Sequence, residues 1–304
     1  VLVMNYIKDN GMMEKLPFWK FGGKSSSAEK YLFENENGSG QMLLYNVLPG
    51  LKLAVTELNG STMNFYHPAV SGVMQVNYCL NGRMGWIMHG GRSIYLGQGD
   101  VSFHMMDCCT VSGITLPLGH YSGIALFVDL NMAAQPFGEV KVWPGAAEIA
   151  DMFALLLRVK SEYRQAYFKL KAQEMLLFLV MYGVPHLKTA ESCEERYMEI
   201  IKMIHAKITG SWQEHYTIEQ LAREHSINAS VLKKVFKMVY GKPVAQYMKE
   251  YRMRKAAALL IAGSSSVAEI AAAAGYGSQS KFAAAFKQVM QLAPSEYRMR
   301  YSKK

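Results

Sequence analysis

The stretch "GYGSQSKFAAAFKQVMQLAPSEYR", residues 275–298, decides the architecture of the carboxy-terminal third of this chain. Phe282, Phe286 and Val289 recur at i, i+4 and i+7, the spacing of one helical face, so they predict a buried stripe. Gln279, Ser280, Lys281 and Ala284 then fall on the outer face, with Ala283 beside them and Ala285 nearer the buried side. The small residues of the preceding "AEIAAAAGYG" allow an upstream helix to sit close against this one, and Gly275 permits a sharp turn between the two.

A second copy of the pattern lies about 50 residues earlier. "TIEQLAREHSINASVLKKVFKMVYGKPVAQY" (217–247) parallels "SVAEIAAAAGYGSQSKFAAAFKQVMQLAPSEY" (266–297). Leu221-Ala222 matches Ile270-Ala271; Leu232 and Phe236 match Phe282 and Phe286; Pro243 and Tyr247 match Pro294 and Tyr297. Each copy reads as a short helix, a tight turn and a longer helix, the helix-turn-helix pattern in which the second helix enters a DNA major groove and the first braces it. In the first copy Thr217 and Gln220 have capping-box spacing. Leu232, Val235, Phe236 and Val239 form the buried stripe, leaving Ser230, Lys233, Lys234 and Lys237 on the opposite face.

Charge follows the same division. Residues 1–190 carry 15 Lys and Arg against 14 Asp and Glu, whereas residues 191–304 carry 18 against 10. The net charge of +9 therefore sits almost wholly in the last third, as a polyanion partner of that third requires.

On these motifs, residues 196–304 resemble the DNA-binding domain of the AraC/XylS family of transcriptional regulators. The closing run 275–298 and the connecting "PVAQYMKEYRMRKAAALL" (243–260) carry the resemblance. It implies seven helices, a long fourth helix joining two helix-turn-helix units, and recognition helices in successive major grooves of one DNA face. It implies DNA contacts from Ser230, Lys233, Lys234 and Lys237 in the first unit and from Gln279, Ser280, Lys281 and Ala284 in the second. Members of the family commonly carry a larger polar or basic residue where Ala284 stands. An alanine there makes no hydrogen bond to a base but approaches closely and touches a thymine methyl, so Gln279 is the expected direct reader. On the connecting helix, Arg252, Arg254 and Lys255 either contact the DNA backbone or pair with neighbours such as Glu250.

The amino-terminal part has a different texture. Residues 1–40 read as an extension holding one short helix at about Ala28–Glu36, capped by Ser27. From residue 41 to about 145, short apolar runs alternate with turn signals, among them Asn81-Gly82 and Gly90-Gly91, which tolerate the positive φ of hairpin turns. Many short strands at this spacing predict a sandwich or small barrel. Helical spacing follows over 146–185 (Ile149, Met152, Phe153, Leu156 and Leu157, then Leu170, Met175, Leu176, Leu179 and Val180), stopped by Gly183 and Pro185. Residues 186–195 read as an irregular linker. The fold class expected is α+β multidomain: a cupin-like β-barrel with an antiparallel helix pair, then an all-α domain of two helix-turn-helix units joined by a long helix.

The run "GRSIYLGQGDVSFH" (91–104) resembles the strand–turn–strand of the cupin-like sensor barrel that often precedes this DNA-binding domain. The resemblance implies a small-molecule effector in the barrel and a homodimer formed through the helices at 146–185. Tyr45, Phe65, Tyr78, Trp86, Tyr95, Phe103 and Tyr121 fall on or near strands, and with 21 methionines an adaptable apolar lining is expected. Tyr78, Trp86 and His104 are the candidates for effector contact. The histidines His67, His89, His104 and His120 are isolated, with no H-x-H pair, so neither a metal nor any cofactor is expected. With no G-x-S-x-G or P-loop either, the chain reads as a non-enzyme. Cys79, Cys108, Cys109 and Cys193 read as buried free thiols in a reducing cytoplasm, and no apolar run approaches the roughly 20 residues of a membrane span. The alternatives left open are a cupin-type enzyme tethered to a DNA-binding domain and an effector-independent dimeric DNA binder.

Overall fold

The structure, a computed structural model, describes residues 19–302 apart from 26–27, 68–69, 108–109, 130–138, 157, 179–180, 182–186 and 264. Ser27, Cys108, Cys109, Leu157, Leu179, Val180, Gly183 and Pro185 therefore lie outside the described residues. The chain divides into two compact units, Val1–Glu195 and Arg196–Lys304.

The first unit is a large antiparallel sheet. In chain order its strands are β1 (Lys20–Lys24), β2 (Glu29–Asn35), β3 (Gly38–Leu48), β4 (Leu51–Gly60), β5 (Thr62–His67), β6 (Val73–Met88), β7 (Arg92–Gly97), β8 (Val101–Met105), β9 (Val111–Thr115), β10 (His120–Asp129) and β11 (Lys141–Trp143). Helices α1 (Ala147–Leu156) and α2 (Arg164–Phe178) follow, then the short strands β12 (Lys188–Thr189) and β13 (Ser192–Glu194). The main path runs β1-β2-β3-β4-β10-β6-β8-β11-β12. β6 is long enough to serve two layers: Val73–Gly82 pairs with β10 and Met74–Tyr78 with β8, whereas Arg83–Met88 pairs with β7 and Gly85–Met88 with β9.

Three local expectations change. Residues 29–35 are strand, not helix. Tyr31 is buried and pairs with Met42, and Asn35 Oδ1 closes the following turn by accepting from the Asn37 and Gly38 amides at 2.9 and 3.1 Å. Cross-strand burial overrides local helix preference here, and β1 and β2 thus sit within the segment read as an extension. Asn81-Gly82 is not a hairpin turn. The strand continues through it, and the register against β10 jumps from Ser122↔Asn81 to Gly123↔Cys79, leaving Leu80 unpaired as a bulge. Finally, residues 188–194 are not irregular, because β12 pairs with β11 and β13 with β7.

The helices pack on one face of the sheet. Phe153, Leu156, Phe168, Ala172 and Met175 bury against Tyr45, Leu53, Val76, Tyr78 and Val101. Tyr78 stacks on Phe153 with ring centroids 4.5 Å apart, and Tyr45 meets Phe168 edge-on. Leu170, which the sequence placed with the packing residues of α2, is instead exposed, as are Leu177 and Met181. Cys79 and Cys193 are buried free thiols; burial, reinforced by the Asp100 carboxylate, pushes the Cys79 thiol up to about 12.

The second unit is all helix: α3 (Glu195–Gly210), α4 (Ile218–Glu224), α5 (Ala229–Tyr240), α6 (Val244–Ala262), α7 (Val267–Ala273), α8 (Gln279–Met290) and α9 (Pro294–Tyr301). The duplication is visible in the hydrogen bonds. Thr217 with Gln220 and Ser266 with Glu269 both form complete capping boxes. Both short helices close identically: Ile227 N donates to Ala222 O and Ser226 N to Arg223 O, as Tyr276 N donates to Ala271 O and Gly275 N to Ala272 O. These are Schellman closures, which need a left-handed residue after the helix. Gly275 fills that place in the second unit at φ 78°, but Ser226 fills it in the first at φ 53°. A Cβ on Gly275 would stand 2.7 Å from His215 Nε2. Gly275→Ala is therefore expected to cost at least about 1 kcal/mol of unfolding stability, whereas Ser226→Gly costs nothing; denaturant titration of both variants checks the contrast.

Candidate nucleic-acid interface and ligand cavity

In each helix-turn-helix unit the longer helix presents one buried and one exposed face. In α5, Leu232, Val235, Phe236 and Val239 are buried, while Ser230, Lys233, Lys234 and Lys237 are exposed. Asn228 caps the helix: its Oδ1 accepts from the Ser230 amide at 2.8 Å and from the Ser230 hydroxyl at 2.7 Å. In α8, Phe282 and Phe286 are fully buried with Val289 and Ala285 packed beside them, and Gln279, Ser280, Lys281 and Ala284 are exposed. Ala283, expected to face outward, is half-buried. Ser278 caps α8 through its own side chain, so the Gln279 amide is not spent on capping.

Other lysines of this unit are engaged with carboxylates: Lys202 with Glu199, Lys207 with Glu224 and Lys242 with Glu250. Among the described residues, Lys233, Lys237 and Lys281 have no such ion pair. A cation left unneutralised on an exposed helix face is available to phosphate.

The two units are held together by α6 and by the loop between α3 and α4. Trp212 of that loop packs into the core that buries Phe282 and Phe286. Arg252 on α6 donates from Nε to Trp212 O at 2.8 Å and from Nη2 to Glu214 O at 2.6 Å, and its Nη1 lies 3.3 Å from His215 Nδ1. The other ring nitrogen of His215 lies 3.1 Å from Gly275 O, in the turn before α8. One guanidinium thus ties the segment leading into α4 to the turn leading into α8. The expected alternatives for Arg252, DNA backbone or Glu250, give way to this role: Glu250 is taken by Lys242, and burial lowers the Arg252 pKa. Lys255 lies over the Tyr251 ring at 5.5 Å.

The first unit contains a cavity of about 110 Å³, open on one side. Gln75 and Asn77 line it from the first half of β6, and Met84 and Trp86 from the second. The Leu80 bulge explains the change from odd to even numbering, because one extra residue inverts which side chains face which side. Trp86 and His104 both line the cavity, with rings 5.8 Å apart in an edge-on pair. Tyr78, the third candidate, does not line it. It precedes the bulge, points to the opposite face from Asn77, and is part of the helix-packed core. Gln75 and Asn77 are among the cavity residues that the sequence pattern did not single out; their signal was two polar residues, two apart, inside the apolar run "VMQVNYCL". Among the described residues no group of three or more His, Cys, Asp or Glu is placed to hold a metal ion, and no helix is long and apolar enough to cross a membrane.

A protein whose folded core presents two capped, exposed, cationic helices in this repeated frame belongs to the helix-turn-helix class, and residues 221–300 match the family model described as a helix-turn-helix domain. The domain is of the AraC type. RhaR, an HTH-type transcriptional activator of Mannheimia succiniciproducens, is 29% identical over 38% of this chain and 43% of its own length. A putative AraC-like transcription regulator of Streptomyces lividans is 34% identical over 31% of this chain and 30% of its own. The chain spans less than half the length of these curated relatives. Among solved structures, the C-terminal domain of AraT from Geobacillus stearothermophilus is 27% identical, covering 34% of this chain and 88% of that one at a TM-score of 0.33.

Arg252→Ala removes two charge-assisted hydrogen bonds to carbonyls. It is expected to cost about 2 kcal/mol of stability in the carboxy-terminal unit, read as a lowered unfolding midpoint for that unit's helical signal.

Proposed function

We propose that this chain is a cytoplasmic transcription regulator that reads promoter DNA through α5 and α8, senses a small molecule in a cupin-like amino-terminal barrel, and pairs with a second copy through α1 and α2. The observation that carries the reading is the pair of exposed helix faces, one with Lys233, Lys234 and Lys237 and the other with Gln279, Ser280, Lys281 and Ala284, in one AraC-type domain. The lysines supply phosphate contacts and affinity; Gln279, whose amide pairs with adenine, supplies base choice. Ala284 brings α8 close to the groove floor. The cavity supports the sensing role. The pairing role is supported by Leu170 and Leu177, exposed and seven residues apart on α2, the spacing of a helix–helix seam.

Three measurements test this. Lys233→Ala with Lys234→Ala is expected to weaken binding to a selected DNA site and to lower the slope of log affinity against log salt by about 1 for each phosphate no longer neutralised; an unchanged slope contradicts their role. Gln279→Ala is expected to lose roughly 1–3 kcal/mol of discrimination at a single base position, and a specificity profile identical to that of the parent rejects direct reading. Replacing Leu170 and Leu177 together by Glu is expected to turn a dimer into a monomer in analytical ultracentrifugation with the circular-dichroism spectrum preserved. A dimer that persists removes α2 from the interface.

A further inference from the structure

Resting on the reading that the amino-terminal unit binds a small molecule, we propose that its cavity takes an uncharged single-ring aromatic compound bearing one hydrogen-bonding group of the carboxamide or phenol type.

Charge is the first constraint. Among the described residues no Asp, Glu, Lys or Arg lines the cavity. An ammonium placed there would lose its hydration with no carboxylate among the described lining residues to replace it, and a carboxylate would find only the His104 imidazole as a possible counter-charge, at a cost of several kcal/mol. Tyr121, at the wall, is held as a neutral phenol because burial raises its pKa well above the ordinary tyrosine value. A polyhydroxylated ligand fits no better, since each buried hydroxyl demands a partner. Apart from the indoles, the polar side chains of the lining are limited to Thr56, Gln75, Asn77, His104 and Tyr121.

Size and shape are the second constraint. A cavity of about 110 Å³ is of the same order as the roughly 150 Å³ apolar cavity that accepts benzene, and because it is open on one side it takes one ring with a small substituent. Trp86, Phe65 and Phe127 offer aromatic faces and edges to such a ring. On β10, Gly123 and Ala125 line the cavity alongside the larger Tyr121, Ile124 and Phe127, and these two small residues leave room in that wall. A Cβ on Gly123 would fall 2.1 Å from the Tyr121 hydroxyl, so the close approach of that phenol requires glycine.

The third constraint is the polar edge. Gln75 sits directly across from His104 on one side and from Phe127 on the other. Its Nε2 donates to Asn77 Oδ1 at 2.7 Å, and Asn77 Nδ2 donates in turn to Ser102 Oγ at 3.1 Å. This chain of amides holds Gln75 in one orientation and commits only part of its hydrogen-bonding capacity. A primary amide with a remaining donor and acceptor pairs best with a group that offers both, as a carboxamide or a phenol does.

The test uses the full chain and four probes: benzamide, benzoate, toluene and glucose. Indole fluorescence, to which Trp86 reports, and thermal shift are the readouts. Benzamide is expected to bind at millimolar concentration, and its charged isostere benzoate and glucose are not. Gln75→Leu is expected to weaken benzamide roughly tenfold while toluene binding is retained, which also shows that the variant folds. Equal binding of benzamide and benzoate, or no binding by either neutral ring, overturns the assignment. If benzamide binds selectively but leaves DNA affinity unchanged, the ligand class stands and the proposed coupling to DNA fails. If DNA is bound and neither neutral ring is, the ligand class fails alone.

Discussion

The carboxy-terminal unit depends on what Arg252 holds. A recognition helix is useful only at a fixed distance and angle from its twin, and a single connecting helix leaves the bend and twist at each of its ends to be set by other contacts. Here the α3–α4 loop supplies them. Trp212 enters the core of the second helix-turn-helix unit, Arg252 fixes the backbone around it, and His215 reaches the turn at Gly275. Because Thr217, the cap of α4, follows His215 by only two residues, the first unit begins where the brace ends. The two guanidinium bonds to carbonyls are charge-assisted, and the one to Trp212 O is partly shielded from water. Independently of that brace, Lys233, Lys237 and Lys281 have no carboxylate partner among the described residues.

Much of this unit was legible in the sequence because helix ends carry chemistry. Thr217 with Gln220, the phenylalanine stripe of α8 and the glycine turn at 275 are local signals, and local geometry alone produces them. The brace was not legible. Arg252 is about 40 residues from Trp212 and His215 in sequence, and none of the three carries a motif. Arg252 looks like any helix-surface cation until the carbonyls it serves are seen beside it. Ala283 was misplaced for a smaller reason: a helix has no sharp boundary between faces, and at the margin burial depends on what the partner helix puts there.

In the amino-terminal unit the strands were legible as a class and their sidedness was not. Alternation within β6 is regular on each side of Leu80, but the bulge reverses it, so a count carried through Asn81-Gly82 places Tyr78 and Trp86 on the same face. They lie on different faces: Tyr78 against α1, Trp86 in the cavity. The segment at residues 29–35 failed for a related reason, since the partner strand that makes it a strand is not local. Gln75 and Asn77 stood out as polar residues in an apolar run, a pattern that burial explains once the amide chain to Ser102 is seen.

The central claim is that α5 and α8 are held as one rigid reader. Selection of binding sites from random DNA by the full chain measures this directly. The account predicts recovered sites with two sequence-constrained boxes whose centres lie about one helical turn, roughly 10 base pairs, apart, and loss of binding when half a turn is inserted between them. Recovery of a single constrained box, or of two boxes at freely varying separation, would contradict it.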